Sequence, residues 1–341
     1  MFRPGRCYSA RSIDFGLPML RIFKFVLLGL LGLLAFIVLA LPWVLPTPGL
    51  DGEIPDQPFS DSGFELINGT RLHYRARLGP SNQSIGTSAD QQRPLVVLLH
   101  GFGGSTFSWN ATLDALEREG FPALAIDLPP FGYSERRGTG AEWSALVAGL
   151  VDRLAPGQER VWVGHSMGAS VAASAAAKDP ARSQYLIIVA GWPERRNRGS
   201  RLRPGLIATV PSIGRWVEVI AAHRMVDESR VRDMLASAFG RAPSEAEFQG
   251  YFHPLTIPGT ATALQRRFDT ENQSSSEGWQ TVPTTLIWGE NDRWVPLRVG
   301  ERLQADNPGL PLKIITGTGH NPMETEPEQF QALLLEVIGG D

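Results

Sequence analysis

The chain has 341 residues, 43% of them hydrophobic and 20% charged, a balance that excludes a disordered, collagen-like or fibrous protein. A formal charge of -3 excludes an overall basic nucleic-acid binder, which needs a cationic field to release counterions from phosphate. The one cysteine, Cys7, leaves no intrachain disulfide and no thiolate zinc site.

Charge is unevenly placed. Residues 1–24 hold Arg3, Arg6, Arg11, Arg21 and Lys24 against Asp14 alone, which leaves 27 basic and 34 acidic residues, or -7, for the remainder. Residues 25–45 follow as FVLLGLLGLLAFIVLALPWVL, long and apolar enough for a helix to cross the hydrocarbon layer. Basic residues precede the run, and Asp51, Glu53 and Asp56 follow it. The expectation is a single-pass, signal-anchor-type membrane helix with a cytoplasmic N-terminus and an extracytoplasmic body. A cleaved signal peptide is the alternative reading. Residues 46–62, rich in Pro, Gly and Asp, read as a linker.

From there short apolar runs alternate with helical stretches, the pattern of a mostly parallel sheet flanked by helices. Strands are expected at 64–67 and 71–77, around the hairpin signal Asn68-Gly69, and then at 95–100, 123–127, 161–164, 185–190, 284–289 and 312–316. Helices are expected at about 108–119, 140–154, 167–178, 296–306 and 327–338. Residues 79–93, rich in Ser, Gln and Gly, read as a mobile loop. The span 193–276 breaks the alternation and reads as a helical lid inserted between two core segments, 63–192 and 277–341. It opens with Arg195, Arg196, Arg198, Arg201 and Arg203 before the apolar stretch Leu206 to Val210, which is either a solvated charged face or an interfacial lid.

The chemistry centres on Gly164-His165-Ser166-Met167-Gly168, where a strand ends and a small-residue helix begins. A serine hydroxyl becomes a useful nucleophile when a tight turn exposes it beside a base, and this G-x-S-x-G elbow supplies the turn. Asp292, after the strand 284–289, and His320, after 312–316, stand in the chain order of acid and base. Glu290, in the same loop as Asp292, is the reserve acid. The loop His100-Gly101-Phe102-Gly103-Gly104-Ser105 places the backbone N–H of Phe102, with that of Met167, as a pair of oxyanion donors. His165 reads as packed beneath the elbow, His100 as support for the oxyanion loop and Asp127 as a brace of its turn. Trp192 and Trp294 border the site and read as substrate-pocket walls or as core packing. His73, His223 and His253 show no ligand spacing, so neither a metal nor a cofactor is expected.

These landmarks, with Asp127-Leu128-Pro129-Pro130-Phe131-Gly132-Tyr133-Ser134 and Gly319-His320-Asn321-Pro322-Met323-Glu324-Thr325-Glu326-Pro327, resemble the α/β-hydrolase fold superfamily in its lid-bearing serine esterase and lipase branch. Pro130 departs from the glycine many relatives carry there. The resemblance implies an α/β-hydrolase fold with about eight strands. It also implies a hydrolase of a carboxylic ester, thioester, amide or carbon–carbon bond without selecting one; the expected reaction is hydrolysis of a carboxylic ester through Ser166, His320 and Asp292. A lipid or small hydrophobic ester is the expected partner, with a carbon–carbon bond hydrolase or a non-catalytic membrane-anchored scaffold as alternatives. The serine at 166 argues against the aspartate-nucleophile relatives, epoxide hydrolases and haloalkane dehalogenases.

Overall fold

The computed structural model describes residues 16–45, 53–78, 93–136, 143–194, 211–225, 227–260, 263 and 277–339. The expected mobile loop, apart from Arg93, the arginine cluster and the stretch 206–210 lie outside the described residues. By internal contacts the chain forms two compact units, one of residues 1–46 with 204–217 and one of the remainder.

In the first unit a long apolar helix runs as α1 (Gly16–Ala35), a π-helical turn (Phe36–Ala40) and α2 (Leu41–Val44). The π turn has a local cause. In the i to i−5 register Leu41 donates to Phe36, so the next donor owed, to the Ile37 carbonyl, is Pro42, which has no N–H. An orphaned carbonyl in an apolar helix needs another partner, and the Trp216 indole supplies it at 3.2 Å. Ser212 donates to the Leu39 carbonyl at 2.9 Å and accepts from the Trp43 indole at 3.2 Å. Both Ser212 and Trp216 lie in α6 (Pro211–Met225). Within Ile22–Val44 an 18-residue stretch reaches a mean hydropathy of 2.8, and most of the apolar side chains there are exposed.

The second unit is built on an eight-stranded sheet, as expected: β1 (Ser62–Ile67), β2 (Thr70–Arg77), β3 (Leu95–Leu99), β4 (Ala123–Ile126), β5 (Arg160–His165), β6 (Ser183–Val189), β7 (Thr284–Gly289) and β8 (Leu312–Ile315). Their order is β1-β2-β4-β3-β5-β6-β7-β8. The β1–β2 hairpin turns at Asn68 and Gly69, both at positive φ, and β2 pairs antiparallel with β4; all other pairs are parallel. Parallel strands are covered on both faces, which explains their unbroken apolar runs: all five residues of β3 and all four of β4 are buried. The covering helices include α3 (Asn110–Arg118), α4 (Trp143–Leu154) and α5 (Met167–Lys178), followed after the insertion by α9 (Arg298–Asp306), α10 (Pro322–Thr325) and α11 (Pro327–Gly339). In α5 the small residues from Gly168 to Ala176 are all buried, so the helix lies close against the sheet.

The linker ends earlier than its composition indicates. Asp61 pairs with Arg75 at 2.8 Å and with Arg77, and the Phe59 ring lies under the Arg75 guanidinium. These contacts bind residues 59–62 to β2, so β1 already begins at Ser62.

Between Trp192 and Trp279 the described residues contain α6, α7 (Glu228–Phe239) and α8 (Glu245–Leu255). Asp227 caps α7, which ends at Gly240 in the left-handed region, φ 74°. Ser244 and Glu247 form a capping box at the start of α8. Val231, Leu235, Phe239, Phe248, Tyr251 and Leu255 form a second apolar cluster between α7 and α8, apart from the main core.

Asp127 braces the loops above β3 and β4. Its carboxylate accepts from Thr106 N at 2.6 Å, Tyr133 N at 2.7 Å and His73 Nδ1 at 2.6 Å. Burial alone would raise its pKa, but the His73 ring and these donors hold it below the ordinary carboxylate range. A lowered folded-state pKa stabilises the fold above the unfolded value, and that stability is lost as pH falls through the folded one. Asp127→Asn is therefore expected to lower stability by about 3 kcal/mol at neutral pH. In urea unfolding its deficit against the parent chain shrinks with acidification; a deficit constant with pH would contradict the brace.

Candidate functional site

Three parallel strands deliver three side chains to one rim. Ser166 follows β5 at φ 51°, a strained backbone for a residue with a side chain, and it holds its hydroxyl above the start of α5. The turn is tight because the flanking residues are glycines. A Cβ on Gly168 would sit 2.5 Å from the Leu99 carbonyl oxygen, and one on Gly164 would meet the backbone of Gly168 and Ala169 at 2.5 to 2.7 Å.

His320, after β8, places Nε2 3.0 Å from Ser166 Oγ and Nδ1 2.7 Å from Asp292 Oδ2. Asp292, after β7, is itself fixed by two backbone donors, Trp294 N at 2.8 Å and Val295 N at 2.9 Å, both to Oδ1. His320 is held from outside the core as well: its N–H donates to the Ala238 carbonyl at 2.7 Å, and the Trp294 ring stacks on it with centroids 5.5 Å apart. Glu290 is turned elsewhere, accepting from Gly317 N at 3.0 Å on the surface. The reserve acid therefore has no contact with the imidazole.

The neighbouring histidines play supporting parts. His165 lies beneath the elbow with its Nε2 bonded to the His320 carbonyl at 2.9 Å; burial, then the nearby His320 ring, lowers its pKa well below the usual value and keeps it neutral. His100 bonds the Gly101 carbonyl through Nδ1 at 2.7 Å and accepts from Leu128 N at Nε2, 2.9 Å. Burial lowers its pKa too, in keeping with the neutral tautomer these bonds require. Together they hold the Gly101-Phe102 turn against the elbow, where a Cβ on Gly101 would meet His165 Nδ1 at 2.8 Å. Met167 occupies the first turn of α5, whose N–H groups have no partners within the helix. Phe102 is exposed, with its ring edge-on to Phe131.

Ser166 opens onto a cavity of about 600 Å³ whose walls include Met167, Trp192, Trp294, Val299 and Arg298. Both tryptophans named from the sequence thus line it. A second pocket, about 40 Å³, holds Ser166 and His320 together with Phe102, Met234, Leu235, Ala238 and Tyr251. The residues from α7 and α8 carry no motif, and nothing in the sequence marks them as part of the site. Asn321, also in this pocket, had one available signal, its place next to His320. Among the described residues no group of three His, Cys, Asp or Glu side chains is placed to hold a metal ion.

The arrangement is a serine hydroxyl bonded to an imidazole, the imidazole bonded to a buried carboxylate, and an open cavity beside the hydroxyl. Gly168→Ala would drive a methyl group into backbone that has no room to yield. It is expected to cost about 1–3 kcal/mol in denaturant unfolding, and an unchanged midpoint would count against the tight packing of the elbow.

A family model described as "Alpha/beta hydrolase family" matches residues 96–333. The chain is 28% identical over 283 residues to a protein named "Uncharacterized hydrolase YugF" from Bacillus subtilis, covering 80% of this chain and 96% of that one. It is 27% identical over 296 residues to a "2-hydroxy-6-oxononadienedioate/2-hydroxy-6-oxononatrienedioate hydrolase" from Burkholderia vietnamiensis, covering 82% and 93%. A solved α/β-hydrolase fold protein from Burkholderia ambifaria superposes with a TM-score of 0.63 at 20% identity, covering 82% of this chain and 98% of that one.

Proposed function

The chain belongs to the alpha/beta hydrolase family, and from that premise we propose that it is a serine hydrolase of carboxylic esters with an apolar acyl group. The observation that carries the reading is the unbroken chain of hydrogen bonds from Ser166 Oγ through His320 to Asp292, at 3.0 and 2.7 Å, opening onto a cavity lined by tryptophan, valine and methionine.

In this mechanism Ser166 Oγ attacks the ester carbonyl carbon while His320 Nε2 takes its proton. The oxygen of the tetrahedral intermediate is held by the backbone N–H groups of Met167 and Phe102. His320 then passes the proton to the departing alcohol, leaving an acyl group on Ser166. Water, deprotonated by the same imidazole, releases the acid. Asp292 keeps the Nδ1 proton in place and stabilises the imidazolium that forms. Trp294, stacked on His320 and forming a wall of the cavity, joins the base to the acyl site.

Two features favour a hydrophobic ester. The cavity surface is mainly apolar, and the chain carries an exposed apolar helix of 23 residues, Ile22 to Val44, about 34 Å at the helical rise. We read that helix as a single-pass anchor with its N-terminus in the cytoplasm, which would hold the hydrolase beside a bilayer that supplies lipid esters. A second reading, hydrolysis of a carbon–carbon bond by the same three residues, draws on the name of the Burkholderia vietnamiensis relative.

A chain-length series of p-nitrophenyl esters, run beside a vinylogous diketone, separates the two readings: preference for medium or long acyl esters supports the first, and turnover of the diketone alone overturns it. Ser166→Ala is expected to lose on the order of a million-fold in turnover and Asp292→Asn less, because the three side chains act as a unit. Full activity in His320→Ala would contradict these roles. For the anchor, resistance to alkaline extraction from membranes is the expected result, and release into the soluble fraction would refute it.

A further inference from the structure

A polar cluster beside the reacting groups has no part in the chemistry just described. Tyr251, on α8, is buried, and its hydroxyl donates to Glu324 Oε1 at 2.5 Å. The Tyr251 phenol oxygen accepts from Asn321 Nδ2 at 3.0 Å and shares a 2.9 Å hydrogen bond with Ser108 Oγ. Asn321 Nδ2 also donates to Glu324 Oε1 at 2.8 Å. One phenol thus joins three parts of the chain: the inserted helix α8, the turn that follows the Gly101–Gly104 loop, and the loop in which Asn321 succeeds His320. A hydroxyl with three partners is geometrically pinned, and the Tyr251 ring forms a wall of the small pocket that contains Ser166 and His320.

We propose that Tyr251 is a positioning residue: through Asn321 and Glu324 it clamps the loop bearing His320, and through Ser108 the turn beside the oxyanion loop, so that the seating of α8 sets the geometry of the reacting groups. The proposal rests on Ser166 chemistry as read above and adds to it a residue the three-membered relay does not include.

The carboxyl in this clamp is poorly matched to its surroundings. Glu324 is partly exposed as a residue, yet its Oε2 is sealed from solvent and has no hydrogen-bond partner. Burial pushes its pKa up to about 7, against the pull of Tyr251 and Asn321 and with a smaller push from the Glu247 charge on α8. The facing charged and titratable groups are Tyr251 and Glu247 on α8 and Arg241 before it, the last two paired with each other at 2.7 Å. On the core side the facing groups, Ser108 and Asn321, are uncharged. A carboxyl whose pKa is raised while the clamp is closed favours, once ionised, any state in which it is hydrated. The clamp is therefore most stable below the ordinary carboxylate range, loosens as pH rises from there to about 7, and loosens no further above that value. Glutamine at 324 keeps the acceptor for Tyr251 and Asn321 and removes the charge.

The test uses the full chain in detergent micelles with a short p-nitrophenyl ester, Ser166→Ala serving as the blank. Tyr251→Phe is expected to lower kcat about tenfold while KM changes less than about threefold, since the hydroxyl orders the reacting groups and leaves the cavity walls in place. Relative to Glu324→Gln, kcat of the parent chain should match at about pH 5, fall as pH rises to about 7 and keep a constant ratio above that value. Unchanged kcat in a folded Tyr251→Phe, or a ratio of parent to Glu324→Gln kcat that does not change with pH, overturns the proposal. Should Tyr251→Phe fail to fold, the Glu324→Gln profile decides. Hydrogen-exchange protection of residues 245–255, corrected for intrinsic rates, gives a readout independent of turnover. It should drop between pH 6 and pH 8.5 in the parent and stay level in Glu324→Gln. Equal protection at both pH values in the parent overturns the clamp, whereas absence of ester turnover with the protection change intact faults only the choice of substrate.

Discussion

The hydrogen-bonded ladder of the parallel strands is the constraint on which the site depends. β5 pairs with β6, β6 with β7 and β7 with β8, with His165 opposite Val189, Val189 opposite Ile287 and Gly289 opposite Ile315. Because parallel strands all run one way, their C-terminal ends share an edge, and the residues that follow them meet there. Ser166, Asp292 and His320 are more than 120 positions apart at the nearest interval between serine and acid, yet they reach hydrogen-bond distance without any long loop having to fold back. The Ser166 turn adds the second requirement, a backbone strained into positive φ and held there by glycines pressed against β3 and α5.

A second Ser-His-Asp set in the same molecule shows why residue types and distances alone do not make a site. Ser62 Oγ lies 2.7 Å from His73 Nε2, and His73 Nδ1 lies 2.6 Å from Asp127. These spacings match the first set closely. Here, however, the serine hydroxyl already accepts from Phe59 N at 3.0 Å, the histidine is fully buried among Phe59, Phe64 and Tyr133, and the carboxylate is spent on two loop N–H groups besides. The serine belongs to a strand rather than an elbow, and neither cavity that Ser166 lines reaches it. Its work is to tie β1, β2 and the Asp127 loop together. What separates the two sets is exposure of the hydroxyl beside an open volume with backbone donors near at hand.

The inserted helices affect the site in two ways. They close it from above, through Met234, Leu235, Ala238 and Tyr251, and they hold the histidine, through the Ala238 carbonyl that accepts from His320 N. The second contact means that α7 and the loop after β8 are stabilised by one another. A Cβ on Gly319 would lie 2.4 Å from that same carbonyl oxygen, so the close approach requires glycine just before the histidine.

Much of this was legible in the chain itself because the signals are local. Six apolar runs become the six parallel strands and the Asn68-Gly69 signal marks the antiparallel hairpin, while the elbow is readable since only glycines permit the turn around Ser166. The exact strand ends were less so: Asp61 and Ser62 read as linker by composition, and only their pairing with Arg75 and His73 draws them into the sheet. Tertiary packing alone decided which side chains of the insertion face the serine, because helix periodicity tells which face is apolar and not what that face will meet. Packing also decided that Glu290 points away while Asp292 points in, two positions apart in one loop, and that a carboxyl at 324 is buried against a phenol more than seventy residues earlier. Residue order thus determined the strands, the turn and which three side chains follow the strand ends, whose causes lie within a few neighbours. Burial, desolvation and contacts between distant segments arise only once the chain has closed on itself, and those settled the walls of the cavity and the charge states within it.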